Sequence, residues 1–229
     1  MNAFDARGKA GLFDFGPAAE RYEDWYASSL GKIQDLAQKA DVVNFLECTE
    51  AGARLLDVGC GTGHWSRFFA TLGYTVTGVD TSSEMIAEAR DRSPATISFQ
   101  QADAVSLPFH DAAFDIVAAM ATLEFMTAPQ QALAEMARCV RDRGRLLIGT
   151  LNLSAPLNKT RIVEGHEPYA SGHLYTPEAL QEILAPFGTL RMVASEPLHT
   201  PADIYDGVTP GISLAQRVTG PFIVAEVQR

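Results

Sequence analysis

The sequence predicts a doubly wound α/β fold, with a mostly parallel seven-stranded sheet, helices on both faces and an N-terminal helical cap. Three observations support this fold: strand and helix patterns alternate from residue 54 onward, the first strand ends in a glycine-rich turn, and helical patterns precede it. Such alternation favours parallel strands joined by helices that cover both faces of the sheet. The 229 residues suffice for one such domain with a modest addition.

The strand patterns are short apolar or alternating runs that stop at turn residues. They fall at residues 54–58, 74–80, 95–102, 114–119, 145–151, 189–196 and 222–227. The helices among them are predicted at 82–92, with Ser82 or Ser83 as the cap, at 129–140, and from a cap at Thr176 onward. A turn at 142–144 leads into the fifth strand.

Two helical patterns, at 17–27 and 32–46, precede the sheet. We expect residues 1–50 to form a cap over the ligand site and residues 51–229 to form the main domain. Residues 152–175 hold two prolines and two glycines with weak periodicity. Long excursions of this kind in compact domains tend to be functional, so we predict a lid over the substrate there.

The charge balance argues against nucleic acid as a partner. The formal net charge is −10 and the pI is about 4.9, whereas nucleic-acid binding depends on neutralisation of phosphates by Lys and Arg. A local cluster exists, and its members are Arg138, Arg141, Arg143 and Arg145. We interpret it as the end of a helix, where positive charge complements the helix dipole. The overall field favours a cationic ligand.

The three cysteines and five histidines lack metal-ligand spacing, so we predict no metal site. Widely separated cysteines suit a reducing compartment. The first residues include acids and no apolar run, and no stretch has the length needed to cross a bilayer. We therefore expect a cytoplasmic protein without membrane insertion, either a monomer or a homodimer.

The most informative segment is the glycine-rich run at 55–63, Leu-Leu-Asp-Val-Gly-Cys-Gly-Thr-Gly. Glycines after a strand let the backbone turn sharply and expose main-chain N–H groups to a ligand. Dinucleotide enzymes use a similar turn, but with the spacing G-x-G-x-x-G. The discriminating residue is Asp57, because its carboxylate would repel a pyrophosphate and attract the ammonium group of S-adenosylmethionine (SAM).

Two further acids stand at the ends of the next two predicted strands. Asp80 can accept hydrogen bonds from a ribose diol, a position that NAD enzymes share. Asp103, with the N–H of Ala104, suits the edge of adenine. Each acid alone is more simply explained as a helix cap or turn former. Three acids at successive strand ends beside a glycine-rich turn reverse that preference, since this is the edge where open α/β sheets bind ligands.

Residues 54–152 resemble the type 11 methyltransferase domain, a Rossmann-like, SAM-dependent family that includes ubiquinone and menaquinone biosynthesis methyltransferases. The motifs that carry the resemblance are 55–63, 79–85, 102–109 and 133–144. The chain departs from the family at 142–144, where Asp-Arg-Gly stands in place of the more usual Pro-Gly-Gly. This departure affects a turn and puts no catalytic residue in doubt.

The resemblance implies a role for each matching residue. The implied cofactor contacts are Asp57, Gly59, Gly61 and Gly63 at the methionine end, Asp80 at the ribose, Met85 packed on adenine, Asp103 and Ala104 at the adenine edge, and Met120 beside the methionine moiety. Cys60 and Thr81, within the same motifs, complete the predicted cofactor-binding set. Subfamilies with a Tyr-x-x-Trp segment before this domain look similar, which favours Tyr22 and Trp25 as cofactor-side residues. The alternative, in which this aromatic helix simply packs on the sheet, has equal weight on physical grounds.

The resemblance further implies methyl transfer to a small-molecule acceptor by in-line displacement, which requires alignment and exclusion of water. No Asn-Pro-Pro-Tyr segment follows the fourth strand, and this disfavours amide-nitrogen targets in nucleic acid or protein. A base matters only if the acceptor carries a proton that it does not release unaided. His166 or His173, in the predicted lid, is the candidate general base.

Two alternatives stay open at this point. The first is a nicotinamide-dependent oxidoreductase on a related fold, which Asp57 and the glycine spacing disfavour. The second is a non-catalytic SAM-binding protein that serves as a sensor or scaffold. The sequence does not separate this second alternative from an enzyme, because cofactor motifs indicate binding and not turnover.

Overall fold

The computed structural model describes residues 12–46, 52–195 and 218–229. Within these ranges seven strands form one sheet in the order β3-β2-β1-β4-β5-β7-β6. The strands are β1 (Arg54–Val58), β2 (Thr75–Asp80), β3 (Ser98–Gln101), β4 (Phe114–Met120), β5 (Val140–Leu151), β6 (Thr189–Ala194) and β7 (Phe222–Gln228). Strands β1 to β5 pair in parallel, whereas β7 runs antiparallel to both β5 and β6. The predicted mostly parallel sheet is confirmed.

Helices cover both faces of this sheet, as predicted. The helices of the described ranges are α1 (Asp24–Ala27), α2 (Ser29–Leu46), α3 (His64–Thr71), α4 (Ser83–Arg92), α5 (Pro129–Cys139), α6 (Pro156–Val163) and α7 (Pro177–Leu184). Leu133 of α5 and Leu180 of α7 belong to the apolar core on one face. Phe45 of α2, Phe69 of α3 and Ile86 of α4 belong to the core on the other face. Burial of both cores stabilises the layered arrangement.

Two helices begin at the residues that the sequence predicts. The Ser82 hydroxyl accepts a hydrogen bond from the N–H of Met85 at 3.1 Å and so caps α4. The Thr176 hydroxyl accepts one from the N–H of Ala179 at 3.2 Å and caps α7. Each cap satisfies a backbone donor that the first helical turn leaves without a partner.

The helix predicted at 17–27 is wrong in its extent. The chain forms a 3-10 helix at Gly16–Arg21 and then the short α1. Ser28 ends α1, because its hydroxyl donates to the carbonyl of Trp25 at 2.6 Å and its backbone becomes extended. Local side-chain bonds of this kind compete with helix continuation.

Two further boundaries differ from the sequence-based expectation. The excursion at 152–175 contains α6, which weak periodicity concealed, although Pro156 occupies its first turn as helices prefer. The turn predicted at 142–144 lies inside β5, where the register against β4 is interrupted and Arg143 adopts a φ of +60°. The chain therefore bulges within one strand and does not end a separate element there.

The strand order alone, without any side chain, predicts where a ligand site lies. β1 and β4 are neighbours although β2 and β3 lie between them in sequence, so the winding direction of the sheet reverses at this pair. Open α/β sheets bind ligands at such a switch point, beyond the carboxyl ends of the strands. The glycine-rich turn follows β1 at this point.

No helix in the described ranges is long and apolar enough to cross a membrane. The same ranges contain no group of three or more His, Cys, Asp or Glu side chains placed to hold a metal ion. Cys48, His199 and the first eleven residues of the predicted cap lie outside the described residues.

Candidate functional site

The chain leaves β1 through a turn whose glycines hold left-handed backbone. The φ angles are +71° at Gly59, +52° at Gly61 and +80° at Gly63. Residues that carry a Cβ adopt this backbone conformation only with steric strain. The N–H groups of Gly59 and Cys60 both donate to the carbonyl of Val79, at 2.7 and 2.9 Å. The turn is thereby fixed to β2, and α3 begins directly after it.

Asp80, at the end of β2, joins this turn to α4. Its Oδ2 accepts from the N–H of Gly61 at 2.9 Å, and its Oδ1 accepts from the N–H of Ser82 at 2.9 Å. Burial raises the pKa of Asp80, although these backbone hydrogen bonds oppose the rise. Each carboxylate oxygen can accept more than one hydrogen bond, so Asp80 can also bind hydroxyl groups of a ligand.

Asp57 is buried at the end of β1, with 1% of its surface exposed. Its Oδ2 accepts the hydroxyl of Ser66 at 2.6 Å, and its Oδ1 has no hydrogen-bond partner in the described part of the chain. Burial raises the pKa of Asp57 to about 7, and the nearby charge of Asp80 acts in the same direction. A buried polar atom without a partner costs about 1–3 kcal/mol, so a cation or donor bound nearby would relieve Asp57.

A first cavity of about 260 Å³ lies at the carboxyl edge of the sheet, beside these groups. Among its described lining residues the charged ones are Asp80 and Asp103, and both are acidic. Asp103 Oδ1 accepts from the N–H of Val105 at 3.1 Å, which orients the carboxylate. A space lined in this way attracts a cation and repels phosphate.

A second cavity of about 350 Å³ adjoins the first. The residues that line both cavities are Phe13, Phe15, Tyr22, Ala121 and Phe125. Burial raises the pKa of Tyr22 to about 12 and raises the pKa of Tyr26 and Tyr169 above the usual value. These three hydroxyls line the second cavity and keep their protons at neutral pH.

The N-terminal segment that forms the shared wall is fixed at two points. The ring of Phe15 packs edge-on against Phe125 with centroids 5.0 Å apart. Glu23 Oε1 accepts the hydroxyl of Thr62 at 2.8 Å and an N–H of Arg67 at 2.5 Å. The segment therefore connects the glycine-rich turn to the turn that follows β4.

Residues 56–148 match the family model of a methyltransferase domain. This segment of the chain is a methyltransferase domain of the class I, SAM-dependent type. The O-methyltransferase resE of Aspergillus sclerotiorum is 36% identical over 147 residues, which cover 61% of this chain and 56% of that protein. The 27-O-demethylrifamycin SV methyltransferase of Amycolatopsis mediterranei is 38% identical over 105 residues, 43% of this chain and 39% of that one. These matches thus span about half, or less, of the length of the relatives.

Solved structures share the fold of this methyltransferase domain over nearly the whole chain. A SAM-dependent methyltransferase of Thermotoga maritima matches with a TM-score of 0.68, at 20% identity, over 93% of this chain and 97% of that one. At this level of identity the likeness concerns the fold alone.

Most of the residues predicted to bind the cofactor surround the first cavity of the methyltransferase domain. Those that line it are Tyr22, Gly59, Gly61, Asp80, Thr81, Met85, Asp103 and Ala104. Trp25 lines the second cavity. Four predicted residues are buried and line neither cavity, namely Asp57, Cys60, Gly63 and Met120. The structure thus assembles a site from residues at three strand ends, while the role of each one stays a prediction.

His166 and His173 line neither of the two cavities. His166 is exposed, with its Nε2 at 3.6 Å from a carboxylate oxygen of Glu164. His173 is also exposed, and its ring packs edge-on against Tyr175 at 5.3 Å. The geometry does not support either histidine as a base that touches the acceptor.

Sequence reasoning missed Glu124, which is fully buried near the shared wall. Its Oε2 accepts the hydroxyl of Thr150 at 2.9 Å, and its Oε1 accepts the N–H of Leu151 at 3.1 Å. Burial raises the pKa of Glu124 to about 7. The available signal was an acid inside the apolar run that follows β4, since acids are rarely buried without a reason. Phe13, Phe15 and Phe125 were missed too, because nothing in their spacing connects them.

Proposed function

We propose that this protein is a methyltransferase that transfers a methyl group from SAM to a small-molecule acceptor. The observation that carries the proposal is the pair of adjoining cavities, the first lined by acids and a glycine-rich turn, the second mostly apolar. Together the cavities fall within the roughly 300–1,000 Å³ typical of small-molecule sites. They share one wall, so two ligands would meet there.

The first cavity suits the donor. Asp80 offers carboxylate oxygens to the two hydroxyls of a ribose, and Asp103 with the N–H of Ala104 suits the edge of adenine. Met85, 2% exposed and lining the cavity, supplies a polarisable apolar surface for a purine ring. The free Oδ1 of Asp57 favours a positively charged group close to the glycine-rich turn.

SAM, when bound, would supply a methyl group on a positively charged sulfur. The acceptor's lone pair would form the new bond as the methyl–sulfur bond breaks, S-adenosylhomocysteine (SAH) would remain, and a hydroxyl acceptor would lose its proton to solvent. The chain's own contribution is to align the acceptor and exclude water. Alignment alone can reduce a barrier by roughly 7–11 kcal/mol. The aromatic wall made by Phe15, Tyr22 and Phe125 serves this purpose at the boundary between the cavities.

The relatives support oxygen as the accepting atom. The first sequence relative described above is an O-methyltransferase by name, and the name of the second specifies an O-demethyl substrate. A malonyl-[acyl-carrier protein] O-methyltransferase of Pectobacterium atrosepticum is 36% identical over 101 residues, 44% of this chain and 40% of that protein. We therefore propose a hydroxyl oxygen of the small molecule as the acceptor.

Calorimetric titration with SAM, SAH and NADH tests the donor assignment. We expect SAM and SAH to bind and NADH to give no heat of binding; binding of NADH alone would support the oxidoreductase alternative. A second measurement follows methyl-labelled SAM in a metabolite extract. Transfer of the label to a small molecule supports the enzyme, whereas SAM binding with no transfer in any extract supports a non-catalytic binding protein.

A further inference from the structure

The second cavity contains a cation whose charge no described acid neutralises. Arg161 on α6 lines this cavity, and its Nη1 donates to the hydroxyl of Tyr169 at 2.5 Å. Its Cζ also stands 4.5 Å from the centre of the Tyr169 ring. Arg161 forms no ion pair with the acids of the described ranges. A guanidinium has five N–H donors, so most of them are available to a ligand.

Glu167 is the acid among the described residues that line the same cavity. Its two oxygens accept the hydroxyl of Ser171 at 2.7 Å and the N–H of Ser171 at 3.2 Å. Glu167 is exposed, so solvent screens its charge. Arg161 therefore supplies the positive charge among the described residues that line the second cavity.

Asn158 supplies a second polar group, one turn before Arg161 on the same face of α6. Its Nδ2 donates to the carbonyls of Asn152 at 2.9 Å and Pro221 at 2.7 Å, and these two bonds fix the orientation of the amide. Its Oδ1 has no hydrogen-bond partner in the described part of the chain, although the residue is fully buried and lines the cavity. An acceptor of this kind is satisfied by an N–H or O–H group of a ligand.

The rest of the second cavity is largely apolar. Its apolar lining includes Trp25, Phe125, Leu151, Pro168 and Phe222. Aromatic faces of this kind bind flat apolar molecules by stacking and edge-on contacts. A ligand that fills the cavity therefore combines an apolar ring system with two polar groups placed for α6.

From these contacts we infer that the methyl acceptor is a flat, apolar carboxylic acid that also carries an N–H or O–H donor. Arg161 binds the carboxylate, because its planar guanidinium matches the two carboxylate oxygens. Asn158 Oδ1 accepts from the donor group. The inference rests on the proposed function, since it takes the second cavity as the acceptor site.

The position of Arg161 also separates the bound acid from the reacting group. Arg161 lines the second cavity and not the first. The bound carboxylate would thus lie in the second cavity, and another group of the acceptor would reach the wall shared with the first cavity. The net charge of −10 repels acids from the protein as a whole, so the inferred recognition of an acid depends on Arg161, the basic residue among the described ones that line the second cavity.

The test uses matched pairs of acids and their primary amides, titrated into the full-length protein saturated with SAH. The probes are para-hydroxybenzoate, a hydroxynaphthoate, the amides of both, and naphthoate without the hydroxyl. We expect at least one acid to bind about tenfold or more tightly than its amide. We expect naphthoate to bind more weakly than hydroxynaphthoate, because it offers Asn158 no donor. Equal affinity of those two acids would exclude the assigned role of Asn158.

Two variants locate the effect. In Arg161→Met the preference for acid over amide should disappear while the affinity for SAH stays unchanged. Lys159→Met removes an exposed cation from the same helix and should keep the preference. Absence of acid binding, equal binding of acid and amide, or a preference that survives in Arg161→Met would overturn the inference. The same acids and amides are also titrated without SAH. Failure of SAH to bind then counts against the proposed function, while the comparison of acid with amide still tests the inference.

Discussion

Thr122 lies against Gly59 so closely that no side chain fits between them. A Cβ on Gly59 would stand 2.0 Å from Cγ2 of Thr122, and the Thr122 hydroxyl donates to the Gly59 carbonyl at 3.1 Å. Asp80 holds the glycine-rich turn from the side of β2, and Thr122 holds it from the side of β4. The first cavity therefore depends on a backbone fixed from two directions.

Replacement of Gly59 by Ala should destabilise the protein and abolish measurable SAM binding. The left-handed backbone costs about 1–2 kcal/mol with a Cβ, and overpacking against Thr122 adds about 1–3 kcal/mol. Gly73→Ala is the matched control, because Gly73 has a φ of +91° with nothing within 4 Å of its Cβ position. Urea unfolding and SAM titration of both variants measure the difference. Equal losses in the two variants would mean that the contact with Thr122 is unimportant.

Replacement of Asp80 by Asn should weaken SAM binding by at least about tenfold, or about 1.4 kcal/mol. The reason is that Asn keeps one oxygen, which the turn requires, and loses the negative charge and the second acceptor. Asp91→Asn removes the same charge from an exposed position on α4 and should leave the affinity unchanged. Calorimetry of the two variants is the measurement. Unchanged affinity in Asp80→Asn would remove Asp80 from the donor site.

The buried carboxyl of Asp57 should give SAM binding a pH dependence. Because the pKa of Asp57 is raised to about 7, the fraction ionised increases between pH 5.5 and 7.5, and affinity for the positively charged donor should rise with it. This range ends below the pKa of a free α-amino group, about 7.7–8.0. Asp57→Asn should flatten the profile.

Ionisation of Asp57 should lower the stability of the ligand-free protein as pH rises, whereas it should raise the affinity for SAM. The folded-state pKa lies above the ordinary 3.8, so the native stability falls as pH rises from about 4 through 7. The free energy of unfolding of Asp57→Asn, minus that of the natural protein, should therefore be larger at pH 8 than at pH 5. A pH-independent difference in urea unfolding would contradict the assignment.

Glu124 and Glu226 are buried acids for which we expect opposite results. The pKa of Glu124 is raised to about 7 by burial, so its ionisation destabilises the fold as pH rises from about 4 to 7. Glu124→Gln should be nearly neutral at pH 5 and stabilising at pH 8. Glu226 instead pairs with Arg145 and Arg191, so Glu226→Gln should cost about 1–3 kcal/mol at both pH values. Chemical denaturation of both variants at the two pH values decides the matter.

His166→Ala and His173→Ala should leave turnover unchanged, contrary to the sequence-based assignment of a general base. The physical reason is that both side chains are exposed and line neither cavity. A positioned base contributes about 10²–10⁴-fold to the rate. Steady-state kinetics with the true acceptor is the measurement, and a loss of that size at constant SAM affinity would restore the histidine to the mechanism.

The strands and the residues around the first cavity could be predicted from the sequence because each depends on a local sequence pattern. Asp80 ends an apolar strand, the glycines follow another, and Ser82 stands three residues before the N–H that it caps. Each of these patterns reflects a backbone requirement that neighbouring residues determine. The family motifs added the assignment of those strand ends to SAM.

The second cavity could not be predicted in the same way. Its lining comes from segments as distant as Phe13, Ala121, Arg161 and Phe222, which only tertiary packing brings together. The histidines were chosen because their side chains suit a base, yet side-chain chemistry does not reveal which way a loop faces. Helix α6 was missed for a related reason: its apolar positions are few, and Asn158 is buried for its hydrogen bonds.

Phe15 packs on both Phe125 and Tyr22, and all three rings border the first and the second cavity at once. Any movement that admits or releases one ligand through this wall also alters the surface offered to the other. The Michaelis constants for the two substrates should therefore rise and fall together across variants of the N-terminal segment. Release of SAH should slow when the acceptor is in excess.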